Sequence, residues 1–483
     1  MILRSLLSLS RRDLLQGTGA ALALGAPALG ALAAASAPQR IELVAAPGRA
    51  ALVGPGHGVG TTDVWCYNGE VPGPVLRFRQ GARARLVVTN RLDKPTTVHW
   101  HGLRVPNAMD GVGHLTQAPI APGASFDYEF DLPDAGTFWY HPHVDSSAQV
   151  GRGLHGALIV EEAERHDVDR ELVWVLGDWR LDQSAAIDPN FRHPMDLTHA
   201  GRIGNTVTLN GRVPEEVTVR QGERLRLRLI NAANARIFAL DFQGQSPMIV
   251  ALDGHGVTPH APADGRVVLA PAQRADLILD VPAMPSGRSS VIDRFYGAAQ
   301  AYRLVDLVAE RGTAISRAAR PLIAPAANPL SEPDLARAER IEVKLGGGMM
   351  DPRFQRGEIT REKLMEQMRH GLIWSINGQS VPDHGAGHRH DPLIRLARGR
   401  TYVLAMDNDT AWHHPMHLHG HTFRVVARHG VATEHREWRD TVLLDPAERV
   451  DIAFVADNPG DWMFHCHVLE HQAAGMMATI RVE

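Results

Sequence analysis

Cysteine is almost absent from this chain: among 483 residues there are two, Cys66 and Cys466. A disulfide framework is thereby excluded. No basic run stands out, and the formal net charge is only -4. Nucleic acid is therefore not an expected partner. Past residue 37 no segment is apolar for long enough to cross a bilayer. What remains is a chain long enough for about three ordinary domains, with 44% hydrophobic residues to fill their cores.

The scarce thiol is not randomly placed. Cys466 stands between His465 and His467, with His471 and Met476 following. On a strand successive side chains point to opposite faces, so the two histidines look one way and the cysteine the other. One tripeptide can then touch two metal centres. A thiolate, two imidazoles and a weak thioether are the ingredients of a blue-copper site. Cys466, His471 and Met476 supply three of them, and the stretch His414-Pro-Met-His417-Leu-His419 offers the second imidazole. Zinc also accepts Cys and His, but it has no use for the trailing Met and moves no electrons. Cys66 is most simply a buried free thiol.

The first 37 residues read as an address. Ser10-Arg11-Arg12-Asp13-Leu14-Leu15, followed by an Ala/Gly/Leu stretch to Ala37, resembles a twin-arginine export signal and implies a periplasmic protein. Pro27 and the weak hydrophobicity of the stretch oppose a stable membrane anchor. Cleavage is expected between Ala33 and Ala37.

After Pro38 short β-type runs alternate with Gly, Pro and Asn turns, which predicts an all-β chain of sandwiches. Aligning the Asn-Gly turns exposes a long-period repeat. The stretches Asn68-Gly to Asn90, Asn210-Gly to Asn231 and Asn377-Gly to Asn408 correspond, giving three similar domains. Nine and eleven residues past the closing Asn lie His99 and His101 in the first copy, and His417 and His419 in the third. The second has Leu240 and Phe242 there. Leu269-Ala-Pro-Ala-Gln-Arg-Ala-Asp276 matches Leu444-Asp-Pro-Ala-Glu-Arg-Val-Asp451, yet no His-Cys-His follows it. The middle domain is accordingly expected to be metal-free, a structural spacer. In the first copy Gly136-Thr-Phe-Trp-Tyr-His141-Pro-His143 matches Gly460-Asp-Trp-Met-Phe-His465-Cys-His467, with Pro142 in place of Cys466. His388-Arg-His390 falls outside this register and reads as a loop, and His421 has no counterpart in the first copy.

Four motifs in order now stand out: His99-Trp-His-Gly, His141-Pro-His, His414-Pro-Met-His-Leu-His-Gly, and His465-Cys-His-x-x-x-His-x-x-x-x-Met. With them the chain resembles three-domain multicopper oxidases of the laccase and cuprous oxidase group over nearly all of residues 40–483. That resemblance implies three consecutive cupredoxin-like Greek-key β-barrels: 38–165, 166–312 and, after a linker at 313–340, 341–483. It implies four copper ions. The type 1 ion falls to His414, Cys466 and His471 with Met476 axial, and the type 2 ion to His99 and His417. The two type 3 ions fall to His101, His141, His143, His419, His465 and His467. A small reducing substrate, a phenol, an aromatic amine or Cu(I), gives single electrons to the type 1 copper, and Cys466 relays them to the cluster, where dioxygen becomes water. An axial Met is expected to lower the type 1 potential and favour easily oxidised donors.

Asp110, in Met109-Asp-Gly, resembles the family carboxylate that assists dioxygen reduction; the alternative is a surface turn. Many bacterial relatives carry Glu directly after the last type 1 His, whereas this chain has Gln472, which puts that proton route in doubt. Met349, Met350 and a helix around Lys363–His370 bearing Met365 and Met368 invite comparison with the thioether-rich inserts of cuprous oxidases, but Met365 and Met368 at helical spacing also suit packing. His384, His388 and His390 are expected to be solvated. Two other functions compete: a copper-sequestering tolerance protein, and a structural relative without metal, which the complete ligand set opposes. A nitrite reductase is a weaker rival.

Overall fold

The computed structural model describes residues 39–54, 60–164, 166–312, 314–316, 321–382 and 391–483. The leader and the loop histidines His384, His388 and His390 lie outside them. Three barrels follow one another, each of two facing sheets. In the first, strands from Gln39–Ala50 to Gly156–Glu161 enclose a core that includes Leu43, Leu86, Phe130 and Phe138. The second runs from Arg170–Trp179 to Tyr302–Ala309, and the third from Glu339–Gly347 to Met477–Val482. Each opens with a strand that pairs in parallel with a later one: Gln39–Ala50 with Arg83–Asn90, Arg170–Trp179 with Arg224–Asn231, and Glu339–Gly347 with Thr401–Asn408. Parallel pairing inside mostly antiparallel sheets marks the crossover of the cupredoxin-like Greek key.

The repeat has a physical cause that recurs three times. Asn68-Gly69, Asn210-Gly211 and Asn377-Gly378 all turn with positive φ at both residues, the type I′ geometry that Asn-Gly favours. Each Asn side chain then ties its turn to the barrel's first strand, accepting from Val44, Val175 and Lys344 N–H respectively. The closing asparagines are buried pins. Asn90 donates to the carbonyls of Lys94 and Ile120, Asn231 to those of Arg236 and Leu269, and Asn408 to those of Trp412 and Asp445. A buried amide satisfied this way fixes where the next strand begins, and in the outer barrels that strand carries the histidines.

The strand Arg224–Asn231 is buried on both faces although Arg alternates with Leu along it. Leu225, Leu227 and Leu229 fill the middle core. Its arginines meet acids: Arg226 lies 2.6 Å from Asp276 and from Glu162, and Arg228 lies 2.8 Å from Glu171. Arg228 also donates to Thr137 of the first barrel, so this face is an interface. Leu240 and Phe242, at the register positions of the ligand pairs, pack in the same core.

The helix Arg361–His370 is capped by Thr360 and stopped by Gly371 in the left-handed region. Met368 packs on the third core, while Met365 is 49% exposed. No helix among the described residues is long and apolar enough to cross a membrane.

Candidate metal centres

Two neighbouring strands of the third barrel, His414–Leu418 and Gly460–Cys466, pair with Met416 opposite Cys466 and His417 opposite His465. Strand alternation therefore sends Cys466 into the third core, with Met476, and His465 the other way. Beyond the strand, the helix Leu469–Ala473 turns back and delivers His471. The Cys466 Sγ lies 3.5 Å from His414 Nδ1 and 3.6 Å from His471 Nδ1, and those two nitrogens are 3.1 Å apart. All of Cys466, His414, His471 and Met476 are fully buried.

Tautomers decide what this place can hold. His471 Nε2–H donates to the His199 carbonyl at 2.6 Å, and His414 Nε2 meets Thr410 Oγ1 at 2.8 Å. The Nδ1 lone pairs are left facing each other and the thiol. Burial pushes the Cys466 thiol up and pulls His471 down to about 3. Without a cation the group is a thiol between two unprotonated rings; a soft cation would make it a thiolate site. Copper fits this donor set.

On the other side of the strand eight imidazoles converge: His99, His101, His141 and His143 from the first barrel, and His417, His419, His465 and His467 from the third. Each is at most 4% exposed. His101 stacks on His417 with ring centres 3.8 Å apart, and the His99 ring lies tilted against His419 at 3.9 Å. Outward nitrogens are held by acceptors: His99 by the Asp110 carbonyl, His417 by that of Asp440, His141 by that of Pro142 and His465 by that of Cys466. Inward nitrogens of His99, His141 and His417 have no hydrogen-bond partner among the described residues. The Nε2 atoms of His419 and His465 face each other at 3.1 Å. Because both Nδ1–H groups donate elsewhere, no proton is left for that contact. Burial and the neighbouring rings hold His101, His141, His143, His417, His419 and His467 well below the usual imidazole range. Buried lone pairs with no proton to share are a cage for cations. Three imidazole sets have donor atoms within 4.8 Å of one another: His99/His101/His141, His99/His417/His419 and His143/His419/His465.

Asp110 sits in this shell and not on a surface turn. It is fully buried, and its Oδ2 accepts from His419 Nδ1 at 2.9 Å while its carbonyl accepts from His99. One residue thus links a ring of the first barrel to a ring of the third. A Cβ on Gly111 would lie 1.8 Å from the Val98 carbonyl, so the glycine permits the turn that brings Asp110 inward. Gln472 is buried on the helix with His471. His421 is buried against Phe454 and Trp462, outside the donor sets.

Four residues outside the histidine motifs also belong here. Asp440 accepts from His101 Nε2 at 3.0 Å, which turns that ring about so that Nδ1 points inward, opposite to its neighbours. Thr441 lies 3.1 Å from His417 Nδ1. Both oxygens of Asp440 are gripped by Arg274 of the middle barrel, at 2.6 and 2.8 Å, with Asp253 3.6 Å from the same guanidinium. Burial and the Asp440 charge raise Asp253 to about 6. Gly102 of His-Trp-His-Gly explains itself: its Cβ would meet Arg274 at 2.4 Å and Asp440 at 2.6 Å. The middle barrel is therefore more than a spacer. It supplies the His199 carbonyl to one centre and the Arg274 clamp to the other, while among the described residues no donor set lies wholly within it.

A thiol centre one peptide bond from an eight-imidazole cluster, shared by two cupredoxin-like barrels, defines a copper-dependent oxidase. The multicopper oxidase family matches the chain over residues 55–165, 170–292 and 360–483. The chain is similar to multicopper oxidase MmcO of Mycobacterium tuberculosis, 30% identical over 449 residues that cover 86% of this chain and 82% of that one. To a laccase of Pycnoporus cinnabarinus it is 30% identical over 460 residues, 86% of this chain and 85% of that one. The crystal structure of a multi-copper oxidase from Pseudomonas thermotolerans aligns at a TM-score of 0.80 and 35% identity, covering 92% of this chain and 100% of that one. The chain belongs to the multicopper oxidases. It is an oxidoreductase that couples oxidation of a reducing substrate to reduction of dioxygen, with four copper ions: one type 1, one type 2 and two type 3.

Proposed function

We propose that His414, Cys466, His471 and Met476 would hold the type 1 ion, His99 and His417 the type 2 ion, and His101, His141, His143, His419, His465 and His467 the type 3 pair. The observation that carries this reading is the placement of Cys466: its sulfur lies against His414 and His471, while its two bonded neighbours enter the eight-imidazole cluster. Copper, when bound, supplies one-electron chemistry and dioxygen binding. The chain's own residues hold donors in fixed orientation, exclude water, and keep Asp110 within hydrogen-bond reach of His99 and His419 as a proton-handling carboxylate. Its reducing substrate is a phenol, an aromatic amine or Cu(I), and the twin-arginine leader sends it to the periplasm. Barrel boundaries are placed at 38–165, 166–312 and 341–483, with a linker at 313–340; first strands at Gln39–Ala50, Arg170–Trp179 and Glu339–Gly347 support them, the last beginning two residues ahead of 341.

The test is Cys466→Ser in copper-loaded protein. Loss of the red absorption together with oxygen uptake supports the wiring; retention of either rejects it. Copper sequestration without turnover is not favoured by relatives named as oxidases and laccases.

A further inference from the structure

Both imidazoles beside Cys466 are fully buried, so neither offers a polar atom to a molecule in solution. What covers His471 is a strap of the middle barrel spanning residues 193–203. The short helix Pro194–Thr198 leads into His199, whose carbonyl takes the His471 Nε2–H at 2.6 Å. Several contacts fasten the strap. Trp374, whose ring lies against His471 with centres 4.1 Å apart, donates its Nε1–H to the Leu197 carbonyl at 2.7 Å. Met349 N–H donates to the Thr198 carbonyl, and Arg202 N–H to buried Glu470. Asp196 is gripped at both oxygens by Arg180, at 2.7 and 2.8 Å. Gly201 passes so close that a Cβ would lie 2.5 Å from Val468. None of these contacts could be read from the metal motifs.

We propose that this strap is the donor filter of the enzyme: electrons enter across the His199 peptide and its hydrogen bond to His471, and the donor never touches a copper imidazole. The inference rests on the type 1 assignment proposed above. The chemistry follows from what the carbonyl occupies. Each donor molecule loses one electron and the centre gains one; a phenol also releases its hydroxyl proton to water, and with the His471 Nε2–H already given to the His199 carbonyl its oxygen has no ring N–H to dock against. A donor that gives up an electron and no proton, a low-valent metal ion or its complex, has no such requirement. The strap therefore favours metal donors over phenols.

The experiment compares wild type with Asp196→Asn, which loosens the strap at its Arg180 anchor, and Trp374→Phe, which removes the Leu197 hydrogen bond but keeps a ring beside His471. Three quantities are read in copper-loaded protein: the red absorption, the exchange rate of the His471 Nε2–H in the reduced diamagnetic state, and kcat/KM for 2,6-dimethoxyphenol and for ferrocyanide. Loosening is expected to speed the proton exchange and to raise kcat/KM for the phenol about tenfold, equivalent to about 1.4 kcal/mol, with less than about a twofold change for ferrocyanide. Faster exchange with unchanged phenol kinetics overturns the filter, as does an equal gain for both donors. If Trp374→Phe loses the red absorption, Asp196→Asn alone decides. A wild type without red absorption rejects the type 1 assignment, a different failure from that of the filter.

Discussion

The strands Gly136–His141 and Gly460–Cys466 occupy the same place in the first and third barrels and end in the same way. His141 Nδ1–H donates to the carbonyl of Pro142, and His465 Nδ1–H to that of Cys466. Both strands send their histidines into the shared cluster. What differs lies on the opposite face. Where the third barrel has Cys466, His414 and His471, the first has Pro142, Thr96 and Ser147. Thr96 there donates to Gln149 at 2.7 Å, so the position matching His414 is satisfied by an ordinary hydrogen bond. One scaffold thus builds a cluster on one face and, only where a thiol and two rings replace three small or rigid residues, a second centre on the other.

The largest way to break this contrast is to make the third strand resemble the first. Cys466→Ser is expected to lower oxygen uptake more than about a thousandfold while leaving the cluster imidazoles in place, as measured by retained type 2 copper resonance. Next, Asp110→Asn tests the carboxylate shared by both barrels; oxygen uptake should fall by about a hundredfold at unchanged copper content. Near-normal turnover would remove Asp110 from proton handling. Arg274→Met asks whether the middle barrel matters to the cluster. It leaves Asp440 buried without its guanidinium, which should cost about 3–5 kcal/mol of stability by denaturant unfolding and weaken cluster copper by about tenfold or more in chelator competition.

A pH series sharpens the comparison. Burial holds His101, His141, His143, His414, His417, His419 and His467 well below the unfolded value of about 6.5, and pulls His465 down to about 4 and His471 to about 3. Between those values the unfolded chain binds more protons than the folded one. Stability of the copper-free protein should thus be greatest above about pH 6.5 and fall as pH drops through that window. A pH-independent unfolding midpoint would contradict the neutral cage. The smallest effect is expected from Met365→Leu, an exposed position: stability within about 0.5 kcal/mol and unchanged Cu(I) kinetics. A clear loss of Cu(I) oxidation would extend the contrast between barrels to the Arg361–His370 helix.

The cluster histidines were legible because one turn geometry and one pinned asparagine repeat at fixed spacing, so that strand alternation alone decides which rings share a face. Cys466 was legible because thiols are so few. Asp440, Arg274 and the His199 carbonyl were not, since each acts across barrels, through pairs 339, 166 and 272 residues apart, and no local periodicity encodes such a partner. Arg274 did fall inside a recognised repeat, matched with Arg449. Its counterpart is 55% exposed while Arg274 is fully buried, a difference that only the packing between barrels creates. Met365 and Met368 share helical spacing, yet one faces solvent and the other the core.

The eight imidazoles come in two groups, residues 99–143 and 417–467, which no single barrel brings together. A ribosome must therefore finish almost the whole polypeptide, and the outer barrels must dock, before a complete cage exists. Metal insertion at the cluster is on this geometry a terminal event in biogenesis, and a chain truncated before His465 should emerge able to fold its first barrel yet unable to reduce oxygen.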